Sequence, residues 1–171
     1  KLKEGMNAMN YDVFGPFELP QTTKRNRIDD TKIKHVFWDN VDTRENGLPE
    51  ACGCYIFSIR AGKGTLPWYV GKAAKQTFRK ECLQPHKLVK YNAILGQRSG
   101  TPQLYLVARM TPTGRYSSIS TSTKGYADVD FLERLFIGMS LSRNRELLNN
   151  QDTKMYGQIT VPGILNSHRK P

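Results

Sequence analysis

Six basic residues, Lys72, Lys75, Arg79, Lys80, Lys87 and Lys90, fall in one window in which Glu81 is the only acid. A cationic cluster of this kind suits phosphate contact, the alternative being a solvated helix face. The offsets of three and four between Lys72, Lys75 and Arg79 predict that these three share one side of a helix. Further along, Glu133 lies inside the largely apolar run from Val129 to Ile137. A carboxylate buried there needs a partner. Asp130, three residues earlier, offers a second reading in which Asp130 and Glu133 form a capping box at a helix start. Asn149 and Asn150 follow Leu147 and Leu148, a position where asparagine commonly ends a helix.

The other polar candidates are two tyrosines. Tyr55 lies in the β-forming run Cys54 to Ile59, and Tyr69 belongs to a second run, Leu66 to Gly71. Gly62 and Gly64 between them predict a hairpin turn. Each tyrosine stands close to a glycine, Gly53 or Gly71, and cross-strand packing is one reason for such a pair. The glycines of the turn make no phosphate loop. No Gly-Lys-Ser/Thr ending follows, and Pro67 stands where a dinucleotide fingerprint needs its third glycine.

The elements that must position these groups follow from periodicity and punctuation. A first helix is expected from Ala73 to about Leu83, interrupted by Pro85, and a second from His86 to Leu95. Gln103 to Met110 reads as a third strand. Phe131 to Leu141 reads as a helix whose apolar face is Leu132, Leu135, Phe136 and Met139. Residues 1–50 are polar apart from Val36, Phe37 and Trp38. They read as an N-terminal extension packing on a main domain of residues 51–171. The fold class expected is α+β, a small three-stranded antiparallel sheet flanked by helices.

The whole chain of 171 residues carries +11 at neutral pH. That surplus points to an anionic partner, nucleic acid being the commonest. No apolar run is long enough to span a bilayer, and the start KLKEGMNAMNY has no apolar leader, so the expectation is a cytoplasmic protein without membrane contact. Cys52, Cys54 and Cys82 fit neither a disulfide framework nor a zinc site and are read as reduced thiols. His35, His86 and His168 show no metal-binding spacing.

Taken together, Gly53-Cys54-Tyr55 followed by Tyr69-Val70-Gly71 resembles the paired signature of the GIY-YIG nuclease superfamily. The order of the later pieces is also similar: an arginine ten positions after the second tyrosine (Arg79), a glutamate in a later helix (Glu133) and an asparagine beyond it (Asn149, or its neighbour Asn150). The similarity runs from Gly53 to about Asn150. Cys54 stands where the family has an aliphatic residue, and Leu83 where some members have a histidine.

The resemblance implies a metal-dependent endonuclease hydrolysing DNA phosphodiester bonds. Tyr55 is then the candidate general base or water-orienting group, Tyr69 its hydrogen-bonded companion, and Arg79 a bidentate phosphate clamp. Lys72 or Lys75 could take over part of the arginine's role. Glu133 becomes the ligand of Mg²⁺ or Mn²⁺, with water and phosphate completing the octahedron. Gly53 and Gly71 leave room for close approach, and Lys72, Lys75 and Lys80 add substrate contacts. Two other readings remain open: a basic nucleic-acid-binding domain of the same fold without catalysis, and a nuclease acting on RNA. Cutting both strands from one site per chain would require a homodimer, sequential nicking or rebinding.

Overall fold

The computed structural model describes residues 9–62 and 64–149. Its centre is an antiparallel sheet of four strands in the order β1-β4-β2-β3. They are β1 (Asn10–Glu18), β2 (Gly53–Ala61), β3 (Gly64–Ala73) and β4 (Thr101–Met110). The α+β class is as expected, with one strand more than the expected three. The added strand comes from residues 10–18, where Gly15-Pro16 reads as a turn in the sequence. The register between β1 and β4 shifts between Phe14 and Phe17, so the proline sits at an irregularity on an edge strand. Such a position tolerates the missing N–H.

β2 and β3 form the expected hairpin, and Gly62 supplies the left-handed residue (φ 57°) that the turn requires. The first helix differs from expectation. β3 stays paired with β2 as far as Ala73, and only Phe78–Glu81 coils into a short helix, α3. Lys72 is therefore a strand residue and Lys75 lies in a bend, so they share no helix face with Arg79. Ladder hydrogen bonds to β2 prevail over the helix propensity of Ala73 and Ala74. The second helix, α4 (Pro85–Leu95), appears as expected, with proline in its first turn.

Strand alternation divides the hydrophobic residues between two faces of the sheet. One face carries Tyr55, Phe57, Ile59, Leu104 and Leu106, all buried. Against it pack Phe78, Leu88, Tyr91, Ile94 and Leu95 from α3 and α4. Phe37, Trp38 and Val41 join the same core. They lie where α1 (Asp30–Lys32) passes through a π-helical turn (Ile33–Phe37) into α2 (Trp38–Arg44). The opposite face carries Cys54, Val70 and Val107, covered by Val129 and Ile137 of α5 (Ala127–Arg143).

Helix α5 is longer than the expected 131–141, and its buried side differs too. Leu132 and Phe136 are half-buried as foreseen, whereas Leu135 and Met139 are exposed. The helix lies mainly along β3 and less along β2, so a narrow stripe of it meets the sheet. The capping-box reading is overturned as well. The N-cap residue is Tyr126, which leaves Asp130 and Glu133 one turn or more inside the helix with their carboxylates free to act elsewhere. No described helix is long and apolar enough to cross a membrane.

Candidate functional site

The two tyrosines and their glycines meet because the hairpin register pairs Tyr55 with Gly71 and Phe57 with Tyr69. Both aromatic side chains therefore rise from the same face, with ring centroids 6.2 Å apart. A Cβ at Gly71 would overlap the Tyr55 ring, so the missing side chain is the space into which Tyr55 folds. Gly53 (φ 151°) faces a similar demand, because a Cβ there would overlap the Val107 carbonyl of β4. These glycines thus admit a ring and a backbone of the protein itself.

The two tyrosines have different environments. Tyr55 is wholly buried, and its hydroxyl makes no hydrogen bond among the described residues. Burial, and then the neighbouring Tyr91, Cys82 and Tyr69, push its pKa well above the ordinary phenol value. Tyr69 is half-exposed on the edge strand. Its pKa is raised by burial and then by the Glu133 carboxylate, so the glutamate's field reaches this ring. Tyr91 sits edge-on to Tyr69 at 5.7 Å and stacks on Phe57 at 4.0 Å. The Lys90 ammonium lies 5.6 Å from the centre of the Tyr69 ring.

Around the edge of β3, Lys72 points to the other face. Its ammonium forms ion pairs of 2.9 Å with both Asp130 and Glu133. The two acids are three residues apart on α5, so their carboxylates converge on one point. Burial alone would lower the Lys72 pKa, but the hydrogen bonds to the two carboxylates outweigh it and the net shift is upward. Glu133 is thus half-buried and partnered, as its apolar setting demanded, and the partner is Lys72.

A cleft of about 410 Å³ opens beside this triad, lined by Lys72, Lys75, Glu81, Lys124 and Asp130 among others. It joins the two faces at the end of β3, since Glu81 belongs to α3 and Asp130 to α5. The Ser/Thr-rich loop after β4 brings Lys124 here, anchored by the Ser120 N–H donating to the Ala74 carbonyl at 2.8 Å.

The remaining candidates stand further out. The Arg79 guanidinium pairs with Glu50 at 2.8 Å and with Asp39 at 3.5 Å, on the side of the N-terminal helices. Lys80 is exposed on α3. Asn149 is no helix cap, because α5 ends at Arg143 with Asn144 as its C-cap residue. Its side chain instead mimics a strand: the amide donates to the Val70 carbonyl (2.7 Å) while its oxygen accepts from the Val70 N–H (2.9 Å). Asn144 donates to the Pro67 carbonyl at 2.7 Å and the Leu148 N–H to that of Trp68 at 2.8 Å. This segment therefore saturates the open edge of β3 next to Tyr69 and Gly71. Asn150 lies outside the described residues.

Three participants escape a reading of the sequence. Asp130 appears there only as a possible cap, and Lys124 carries no signal of its own. Lys87, inside the basic window, is buried against Glu81, whose position as the sole acid of that window is the one signal of a pair. Among the described residues no three His, Cys, Asp or Glu side chains form a metal-binding group.

No protein-family model matches the chain, and neither a curated protein nor a solved structure matches it significantly.

Proposed function

We propose that the chain is a metal-dependent endonuclease of the GIY-YIG type, hydrolysing phosphodiester bonds of DNA. The observation that carries this reading is one arrangement. The tyrosine-bearing hairpin ends at a lysine-lined cleft, and beside that cleft Glu133, paired with the cleft residue Lys72, lies within the electrostatic reach of Tyr69. The net charge of +11 suits a polyanionic substrate.

The donor set fits a hard divalent ion. The carboxylates of Glu133 and Asp130 converge on the Lys72 ammonium, so a cation is already accommodated between them. Mg²⁺ or Mn²⁺ held by Glu133, with water and phosphate as further ligands, would supply Lewis-acid neutralisation of the scissile phosphate. Lys72, now paired with Asp130 and Glu133, would be the nearest cation to a phosphate held there.

Lys75 and Lys124 line the same cleft as backbone contacts, which position DNA without reading sequence. The half-exposed Tyr69 is suited to orienting the attacking water. Tyr55, buried with a raised pKa, stands behind Tyr69 as a neutral hydroxyl, because a standing phenolate is disfavoured there. Arg79 becomes the phosphate clamp by exchanging its partners at Glu50 and Asp39, which are weak as solvent-exposed pairs.

The second reading, a DNA-binding domain of the same fold without catalysis, is favoured by those commitments themselves: Glu133 paired with Lys72, and Arg79 paired with Glu50. A supercoiled-plasmid assay with Mg²⁺ or with excess chelator, beside a folded Glu133→Ala variant, separates the two. Cutting that disappears with chelator and in the variant is the expected result. Salt-sensitive binding without any cutting favours the binding domain.

A further inference from the structure

Lys87 is the third residue of α4, yet its side chain is only 5% exposed. Lysine is almost never buried unless paired, and a cation in the first turn of a helix faces the unfavourable end of the dipole. Two acceptors compensate. The ammonium pairs with the Glu81 carboxylate and donates to the Glu81 backbone carbonyl at 2.7 Å. A buried ion pair of this sort adds little stability over a well-packed apolar pair of the same volume.

The same ammonium lies 5.2 Å from the centre of the Tyr55 ring. That ring is fixed on its other side, where it occupies the space of the absent Gly71 side chain. Its hydroxyl is the one buried phenol oxygen among the described residues that lacks a hydrogen bond. The titratable groups facing Tyr55 are Tyr69 from β3, Glu81 and Cys82 from α3 and its end, and Lys87 and Tyr91 from α4. Lys87 is the cation of this set and Glu81 the carboxylate.

We propose that Lys87 is a positioning residue for Tyr55: seated against the ring, it holds the phenol over Gly71 and offsets the Glu81 field. A cation near the ring favours the electron-rich form, whereas the Glu81 carboxylate opposes it. Lys87 therefore acts on Tyr55 through its contact with the ring, without touching substrate. The inference rests on the nuclease reading for its consequence in cleavage, but the coupling between Lys87 and Tyr55 can be read without it.

The test uses Lys87→Met, the double variant Lys87→Met with Glu81→Gln, and wild type, each labelled with ¹³C at the tyrosine Cζ. The Tyr55 signal is assigned by Tyr55→Phe. At neutral pH, Lys87→Met is expected to move the Tyr55 signal more than that of any tyrosine other than Tyr69 and Tyr91, and the double variant to move it part of the way back. In plasmid cleavage at neutral pH, Lys87→Met is expected to lower the maximal rate about tenfold while leaving the DNA concentration at half-maximal rate unchanged, with partial return in the double variant. If Lys87→Met does not fold, the double variant, which leaves no buried unpaired charge, is compared with wild type by the same two readouts. An unmoved Tyr55 signal, or a maximal cleavage rate unchanged in a folded variant, overturns the proposal. If wild type cuts no DNA, the nuclease reading fails instead, and the Tyr55 signal alone decides whether Lys87 couples to it.

Discussion

The two faces of the sheet are built from the same four strands and differ in what covers them. The face under α3 and α4 holds Tyr55, Phe57, Leu104 and Leu106 in a continuous core that also reaches Phe37 and Trp38. Among the described residues, the face under α5 has two small clusters, around Val129 and around Ile137, with Lys72, Asp130 and Glu133 at their margin. The difference teaches where chemistry can be accommodated. A large apolar core fixes the tyrosine ring on one side, and a thinly covered flank lets charged groups converge next to solvent on the other. The cleft at the end of β3 is where the two regions meet.

Several substitutions break or sharpen that contrast. Gly71→Ala acts at the dense face. Its methyl group overlaps the ring of the wholly buried Tyr55, so a loss of about 3 kcal/mol is expected in denaturant unfolding. Tyr55→Ala in the same background should return part of that loss, which a simple backbone effect at residue 71 would not do.

Asp128→Asn acts at the thin face. Asp128 accepts from the Tyr11 hydroxyl at 2.8 Å and from Arg109 at 2.7 Å, tying β1 and β4 to α5. Removing the charge is expected to cost roughly 2 kcal/mol. Burial alone would raise the pKa of this carboxyl, but the hydrogen bonds from Tyr11 and Arg109 and the guanidinium's charge bring it below the ordinary carboxylate value. A group depressed in the folded state contributes stability above its unfolded pKa of about 3.9, and loses it as pH falls through the folded value. Acid unfolding curves of Asp128→Asn should therefore show a shallower fall below about pH 4.

Asn149→Ala removes both bonds to Val70 at the edge of β3. The expected cost is about 1 to 2 kcal/mol, with faster amide exchange at Val70. Asn149→Asp, which keeps an acceptor and loses the donor, should be no better than alanine. The smallest effect on stability is expected for Arg79→Ala. Its pairs with Glu50 and Asp39 are solvent-exposed, so the change should stay within about 1 kcal/mol. Under the nuclease reading the same variant cuts far more slowly than wild type. Unchanged cleavage would remove Arg79 from the site and leave the lysines of the cleft as the phosphate contacts.

Much of the architecture was legible in the residues themselves. The hairpin, the strand at 101–110, the helix after Pro85 and the long helix carrying Glu133 follow from alternation, glycine turns and helical spacing, all of which act over a few residues. The helix expected from Ala73 failed because its first residues had a stronger competitor in ladder bonds to β2. β1 escaped notice because its Gly-Pro pair imitates a turn, and only pairing with β4 makes it a strand. In the site, the glycine beside each tyrosine could be noticed but not explained, since the reason at Gly71 is a ring on the neighbouring strand.

The sequence by itself determined the class of the fold, the cationic excess and the short list of groups able to do chemistry, because composition and local periodicity are properties of the chain. The tertiary structure decided the partners: Lys72 with Asp130 and Glu133, Lys87 with Glu81 and Tyr55, Arg79 with Glu50, and Asn149 with the Val70 backbone. Of these only Lys87 and Glu81 are near neighbours in sequence. The other pairs are 29 to 79 positions apart, and charges and hydrogen-bonding groups choose partners by distance in space, which is set by sheet register and helix placement.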